Sequence, residues 1–218
     1  MTKNQTLILV SILILASFLR LYGLSRGDTV SDEVFYGFRA IGLIDFDEAP
    51  AQTTPFEWYD SQIPWWARLS FHDHPPLVFL IQHFSIKIFG DNNFGLRFPS
   101  AIFGILSVYI LYLIAKRLFS PGAGLLSALF LAITLNHVYI SRLGLQESYV
   151  IFFILLASHF FLKALEKDKY FIWAGIALGL GALAKYNVLI LVPIFILYLL
   201  LFRRDCFLNK KFWLGAIF

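Results

Sequence analysis

Apolar runs separated by short charged turns set the layout of this chain. The first run, Leu7 to Leu24, is close to the shortest that crosses a bilayer, about 17–18 residues. It ends in the bulky Arg20, Leu21 and Tyr22, where a signal peptide would carry small residues for cleavage, so it reads as a retained span. Later runs cover Phe94 to Ala115, Gly122 to Tyr139, Tyr149 to Leu162, Tyr170 to Ala184 and Val188 to Phe202. Glycines at 175, 179 and 181 suit close helix packing in the fifth. A last apolar stretch, Phe212 to Phe218, is far short of the roughly 20 residues a span needs, and the sequence is expected to continue beyond it. The pattern predicts about six whole spans and a stub, forming one domain over residues 1–218.

Between the first two spans lies a polar stretch, about 25–93, that holds most of the acids and prolines. Ser31 is a good N-cap, followed by Asp32 and Glu33 in a first turn where the helix dipole favours negative charge. At helical spacing Asp32, Tyr36 and Arg39 share one face, and Val34, Phe35, Phe38 and Ile41 another. Pro64-Trp65-Trp66 has the aromatic pair of a segment at headgroup level. Pro75 to Gly90 reads as a short helix with Gln82, His83 and Lys87 inside it, lying on the outer surface rather than spanning. The expected fold is an all-α, multi-pass transmembrane bundle with interfacial helices in a long first extracytoplasmic loop.

Composition agrees with a bilayer as solvent. Of 218 residues 59% are hydrophobic and 15% charged, with mean hydropathy +0.72, where soluble domains carry about 25% charged residues. The net charge of +4 comes from loop residues and implies no nucleic-acid partner. One cysteine, Cys206, excludes a disulfide within the chain. Alternating the spans puts Lys3, Lys116, Arg117, Lys163, Lys167, Lys169, Arg203, Arg204, Lys210 and Lys211 on one side. The positive-inside rule makes that side cytoplasmic, so the N-terminus lies inside a plasma or inner membrane and the long loop outside.

The opposite boundary collects Arg20, Asp32, Glu33, Arg39, His72, Asp73, His74, Arg97, Arg142, Glu147 and Lys185. Carboxylates mixed with cations suit a reaction that activates a hydroxyl and releases a phosphate. His72, Asp73 and His74 have the donor types of a divalent metal site. Each residue also has a plainer reading. Arg20 can snorkel to the interface, Arg97 can anchor a helix start, Arg142 and Glu147 can pair on the surface, and Lys185 can end its helix in water.

The order of these features resembles the GT-C-fold membrane glycosyltransferases that use polyprenyl-phosphate sugars, in particular the dolichyl-phosphate-mannose protein mannosyltransferase and lipid A aminoarabinose transferase group. The residues carrying the resemblance are Arg20-Leu21-Tyr22-Gly23-Leu24, Asp32-Glu33-Val34-Phe35-Tyr36, His74-Pro75-Pro76-Leu77, Phe89-Gly90 with Leu96-Arg97-Phe98-Pro99-Ser100, Ser141-Arg142 with Glu147, and Gly179 through Tyr186. It implies an extracytoplasmic site in which Asp32 is the general base and the sugar is transferred with inversion. Glu33 and Glu147 complete the acidic set, and Arg142 and Lys185 match basic positions able to hold the donor phosphate. Tyr36, Arg39, His74 and Arg97 are further candidates for substrate binding; some relatives carry Lys where His74 stands. The acceptor class, whether protein, lipid or glycan, stays open. So do a transporter or flippase of polyprenyl-linked substrates and an inactive accessory subunit.

Overall fold

The computed structural model of the chain describes residues 2–30, 32–44 and 74–217. These contain ten α-helices and, among the described residues, no strand. Ser31, Pro64-Trp65-Trp66, His72 and Asp73 lie outside the described residues.

Helix α1 (Lys3–Leu21) starts with a capping box: the Thr2 hydroxyl accepts the Gln5 N–H at 3.2 Å, and the Gln5 side chain accepts the Thr2 N–H at 3.0 Å. α2 (Asp32–Ile44) begins at the acidic pair, and its Val34, Phe35 and Phe38 face outward. α3 (Leu77–Phe89) stops at Gly90, whose φ of 91° suits a residue without a side chain. With 13 residues it is too short to span upright, as its interior polar residues lead one to expect. Its inward face buries Val78, Phe79, Gln82, Ser85 and Ile86 against neighbouring helices.

α4 (Asn93–Leu118) is the longest helix and runs through the centre. Pro99 inside it cannot donate to the Gly95 carbonyl, and the Ser85 hydroxyl of α3 makes that bond instead at 2.5 Å. α1, α4 and α5 (Pro121–Ile133) share a core of Leu9, Ile12, Ala16, Val108, Tyr112, Ala128 and Ala132, where the alanines let backbones approach closely. The run read as a single third span is in fact two helices. α5 ends before Thr134, and α6 (Leu135–Ser141) leaves at 62° to it.

α7 (Glu147–Ala164) packs on α4 and on α8 (Tyr170–Ala184), whose limits are those the apolar pattern predicts. A 3₁₀ turn, Tyr186–Ile190, leads into α9 (Leu191–Phe202), and a second, Arg204–Leu208, into α10 (Lys210–Ala216). Gly175 of α8 rests on the backbone of Gly215 in α10, so the stub is packed rather than loose. By length and apolarity α1, α4 and α7 qualify as spans, and the bent α5–α6 pair makes up to four. The predicted fifth and sixth spans are shorter apolar helices, so the expected six are not all of spanning length.

The bundle has two unlike ends. One gathers the starts of α2, α3, α4 and α7 with the ends of α1, α6 and α8. The other carries the Arg117–Glu166 ion pair with Lys163, Lys167, Lys169 and Arg203. Cys206 is buried, and burial pushes its thiol pKa up, so it will react slowly from either side of the membrane. Orientation is better tested in a Cys206→Ser background with cysteine introduced at the exposed Asp91 or Lys167. On intact cells a membrane-impermeant maleimide is expected to label the Asp91→Cys protein and spare Lys167→Cys; the reverse pattern would invert the orientation.

Candidate active site

Glu33 is wholly buried, although it sits in the first turn of a helix whose neighbouring Asp32 is exposed. Its partner is Arg97 of α4, itself 4% exposed. The guanidinium grips both carboxylate oxygens, Nε to Oε1 at 2.6 Å and Nη2 to Oε2 at 2.8 Å. The remaining N–H groups go to backbone carbonyls: Nη1 to Leu24 at 3.2 Å and Arg26 at 3.0 Å, Nη2 to Asp28 at 2.8 Å. All five donors of the guanidinium are therefore used inside the protein. Glu33 also accepts the backbone N–H of Gly144 at 2.7 Å and of Val30 at 3.3 Å. Its oxygens are committed to holding the chain, which leaves none for a metal or an acceptor.

One position earlier, Asp32 is exposed. Tyr36, one turn on, is buried against His74, their rings edge-on at 5.5 Å with Oη 3.4 Å from Nε2. Phe79 of α3 packs on Tyr36 at 5.5 Å, and the Arg39 guanidinium lies 5.6 Å above the Phe79 ring. α2 and the start of α3 thus bring Tyr36, Arg39 and His74 together around Phe79. Among the described residues no three His, Cys, Asp or Glu side chains converge as a metal group.

The second part of the site comes from α7 and α8. Lys185, just past the end of α8, donates to Glu147, the first residue of α7, at 2.8 Å. Each charge sits at the helix end that its sign favours. Both are partly exposed, 28% and 40%, so this pair can open to a ligand where the Glu33–Arg97 pair cannot. Leu77 and Val78, next to His74 in sequence, pack with Tyr149 and Ala184, which brings the two parts to the same end of the bundle. An apolar groove of about 340 Å³ between α8, α9 and α10, lined by Phe161, Leu178, Leu189 and Phe195 among others, holds no ionisable side chain.

Arg142 does not join this pair. Its guanidinium donates to the carbonyls of Leu19 at 2.9 Å, Arg20 at 3.3 Å, Tyr22 at 2.9 Å and Gly23 at 3.2 Å, closing the C-terminus of α1. Two side chains that carry the local architecture were not singled out as site residues from sequence. Gln82 donates to the Gly144 carbonyl at 2.8 Å and is fully buried; its signal was a polar residue inside a short apolar helix. Arg20, for which snorkelling was the plainer reading, is instead 0% exposed.

Such a structure defines a class: an all-α membrane protein with a buried Glu33–Arg97 pair and a partly exposed Glu147–Lys185 pair among its helix ends. A family model described as dolichyl-phosphate-mannose-protein mannosyltransferase matches residues 73–218, and the chain belongs to that glycosyltransferase family. It is 30% identical over 214 residues to "Putative mannosyltransferase YycA" of Bacillus subtilis, covering 96% of this chain and 29% of that protein. To "Putative mannosyltransferase YkcB" of the same organism it is 27% identical, over 96% of this chain and 28% of the relative. To the undecaprenyl phosphate-alpha-4-amino-4-deoxy-L-arabinose arabinosyl transferase of Wigglesworthia glossinidia brevipalpis it is 27% identical, over 68% of this chain and 28% of the relative. The chain thus spans less than a third of the length of these curated relatives. No solved structure matches it at a significant level.

The two adjacent acids should separate cleanly on substitution. Glu33→Gln leaves the Arg97 charge buried without its counter-ion and is expected to cost about 3–5 kcal/mol of stability. Asp32→Asn, at an exposed helix start, should cost no more than about 1 kcal/mol. Thermal unfolding of the detergent-solubilised protein measures both, and equal melting of Glu33→Gln and wild type would show that the pair is not what holds this end together.

Proposed function

We propose that the chain forms the catalytic end of a membrane glycosyltransferase that moves a sugar from a polyprenyl-phosphate donor to an acceptor hydroxyl on the extracytoplasmic face. The observation that carries this reading is the split between neighbours: Glu33 is locked to Arg97, while Asp32 is exposed at the end where Glu147 and Lys185 also meet. A carboxylate fixed at its backbone but open to solvent is placed to act as a base.

In this reading the Asp32 carboxylate takes the proton of the acceptor hydroxyl as that oxygen attacks the anomeric carbon. The bond from that carbon to the phosphate oxygen breaks with its electron pair on oxygen, and the polyprenyl phosphate leaves as inversion completes. Lys185, held ready by Glu147, pairs with the phosphate before and after transfer. Glu147 then becomes free to orient the acceptor. Tyr36, His74 and Arg39 line the approach from the α2 side. Glu33, Arg97 and Arg142 are positioning residues, since their hydrogen bonds are spent on the protein itself. The name of the Wigglesworthia relative supports the class of donor lipid, undecaprenyl phosphate.

Transfer of a labelled sugar from polyprenyl phosphate, in membranes with matched amounts of protein expressed from the full gene, tests the assignment. Asp32→Asn should lower turnover by about 10²–10⁴-fold with donor binding retained. Lys185→Ala should weaken donor binding as well, by about 10- to 100-fold for a lost charged hydrogen bond. Near-normal turnover of Asp32→Asn would reduce the acidic pair to a helix start.

A further inference from the structure

The bend between α5 and α6 has no proline or glycine at its apex, where Ile133, Thr134 and Leu135 follow one another. A continuous helix would give the Leu131 carbonyl the N–H of Leu135 and the Ala132 carbonyl the N–H of Asn136. The break removes both donors, deep in a bundle where each orphaned carbonyl is costly. Arg20 of α1 replaces them. Its Nη2 donates to Leu131 at 3.3 Å and its Nη1 to Ala132 at 3.1 Å.

The same two nitrogens also reach the Ala16 carbonyl at 3.1 Å and His137 Nδ1 of α6 at 2.7 Å. A guanidinium only donates, so Nδ1 must accept, and His137 is neutral with its proton on Nε2. Among the described residues no carboxylate reaches Arg20; carbonyls and an imidazole carry the whole burden of its charge. Gly104 of α4 makes room: a Cβ there would come within 2.6 Å of Ser141 Cβ and 3.1 Å of Arg20 Nε.

Beyond α6 the chain reaches Arg142, which closes α1, then Gly144, which donates to Glu33, then Glu147. The direction of α6 therefore sets where this segment meets α2. We propose that Arg20 is a positioning residue of the site: by supplying two of the missing donors it holds the α5–α6 bend, and through the bend the 142–147 segment. Its catalytic consequence rests on the glycosyltransferase reading; the bend itself does not.

The bend can be read directly. Nitroxide labels on Gly122→Cys and Tyr139→Cys, both exposed positions, go into the full-gene protein with Cys206→Ser, and double electron–electron resonance gives their separation. A straight helix would place the labelled backbones about 25 Å apart, and the bend shortens this by about 3 Å. Arg20→Lys keeps the charge but cannot bridge two carbonyls and His137, so the separation should lengthen towards the straight value. Gly104→Ala, which presses on Ser141 of α6 more than on Arg20, should lengthen it too, by sterics alone. In the transfer assay Arg20→Lys should lose about 10- to 100-fold in kcat, as for a misplaced site, with the donor KM within about twofold of wild type. An unchanged separation in Arg20→Lys overturns the clamp, whatever Gly104→Ala shows. A lengthened separation with wild-type kcat overturns its link to the site. Absence of transfer by the wild-type protein overturns the reaction reading and leaves the separation to decide the clamp.

Discussion

Glu33 and Arg97 lie side by side out of reach of water, joined at 2.6 and 2.8 Å. Removing two charges from water costs several kcal/mol per ion, and their attraction offsets this only if the remaining hydrogen-bonding capacity is also filled. Here it is filled by backbone. The guanidinium collects the carbonyls of Leu24, Arg26 and Asp28, and the carboxylate collects the N–H groups of Val30 and Gly144. The pair thus fixes the connection leaving α1, the first turn of α2 and the turn before α7 in one place. Gln82 grips the other side of the Gly144 peptide, so that turn is held from both faces. Asp32 can stand exposed because its neighbour cannot move.

Much of this was legible in the sequence and some was not, for physical reasons. Spans are written as runs of apolar residues, a local property, and α8 has the limits its run predicts. The start of α2 at Asp32 is equally local. Side-chain partners are not. Arg97, Arg142 and Lys185 look alike on paper, yet one is saturated by a carboxylate and carbonyls, one closes α1, and only Lys185 faces a partly exposed acid. The Arg142–Glu147 pairing that proximity in sequence makes attractive gives way to Glu147–Lys185, because the start of α7 lies beside the end of α8. The bend at Thr134 carries no proline or glycine, only the threonine hydroxyl bonded back to Phe130, and the arginine that bonds the Ala132 carbonyl lies 112 residues from it in sequence. The expected His72–Asp73–His74 metal group falls largely outside the described residues.

Two helices in this bundle lose backbone donors, and in both a side chain from another helix restores them. Ser85 serves the carbonyl that Pro99 leaves unbonded, and Arg20 serves two of those freed at the α5–α6 break. Broken helices in transporters leave such groups facing a cavity, where they bind cargo or ions. Here the carbonyls of Gly95, Leu131 and Ala132 are taken up by protein side chains, and in the proposed reading the ligand meets side chains at the end of the bundle. That distribution matches membership of a transferase family better than a transport pathway through the middle.

The closure by Arg20 also has a consequence for how the protein is made. Helices enter a membrane in the order in which they are synthesised, so α1 arrives long before the carbonyls its arginine will serve. An arginine facing lipid costs about 2.5–3.5 kcal/mol at mid-bilayer, and one near a helix end escapes most of this by reaching for the headgroups. Arg20, in the last turn of α1, has that escape within reach until α5 and α6 lie beside it and accept its hydrogen bonds. The third span thus takes its final shape after insertion, on a template provided by the first. Chimaeras between relatives will assemble correctly only if these two segments travel together.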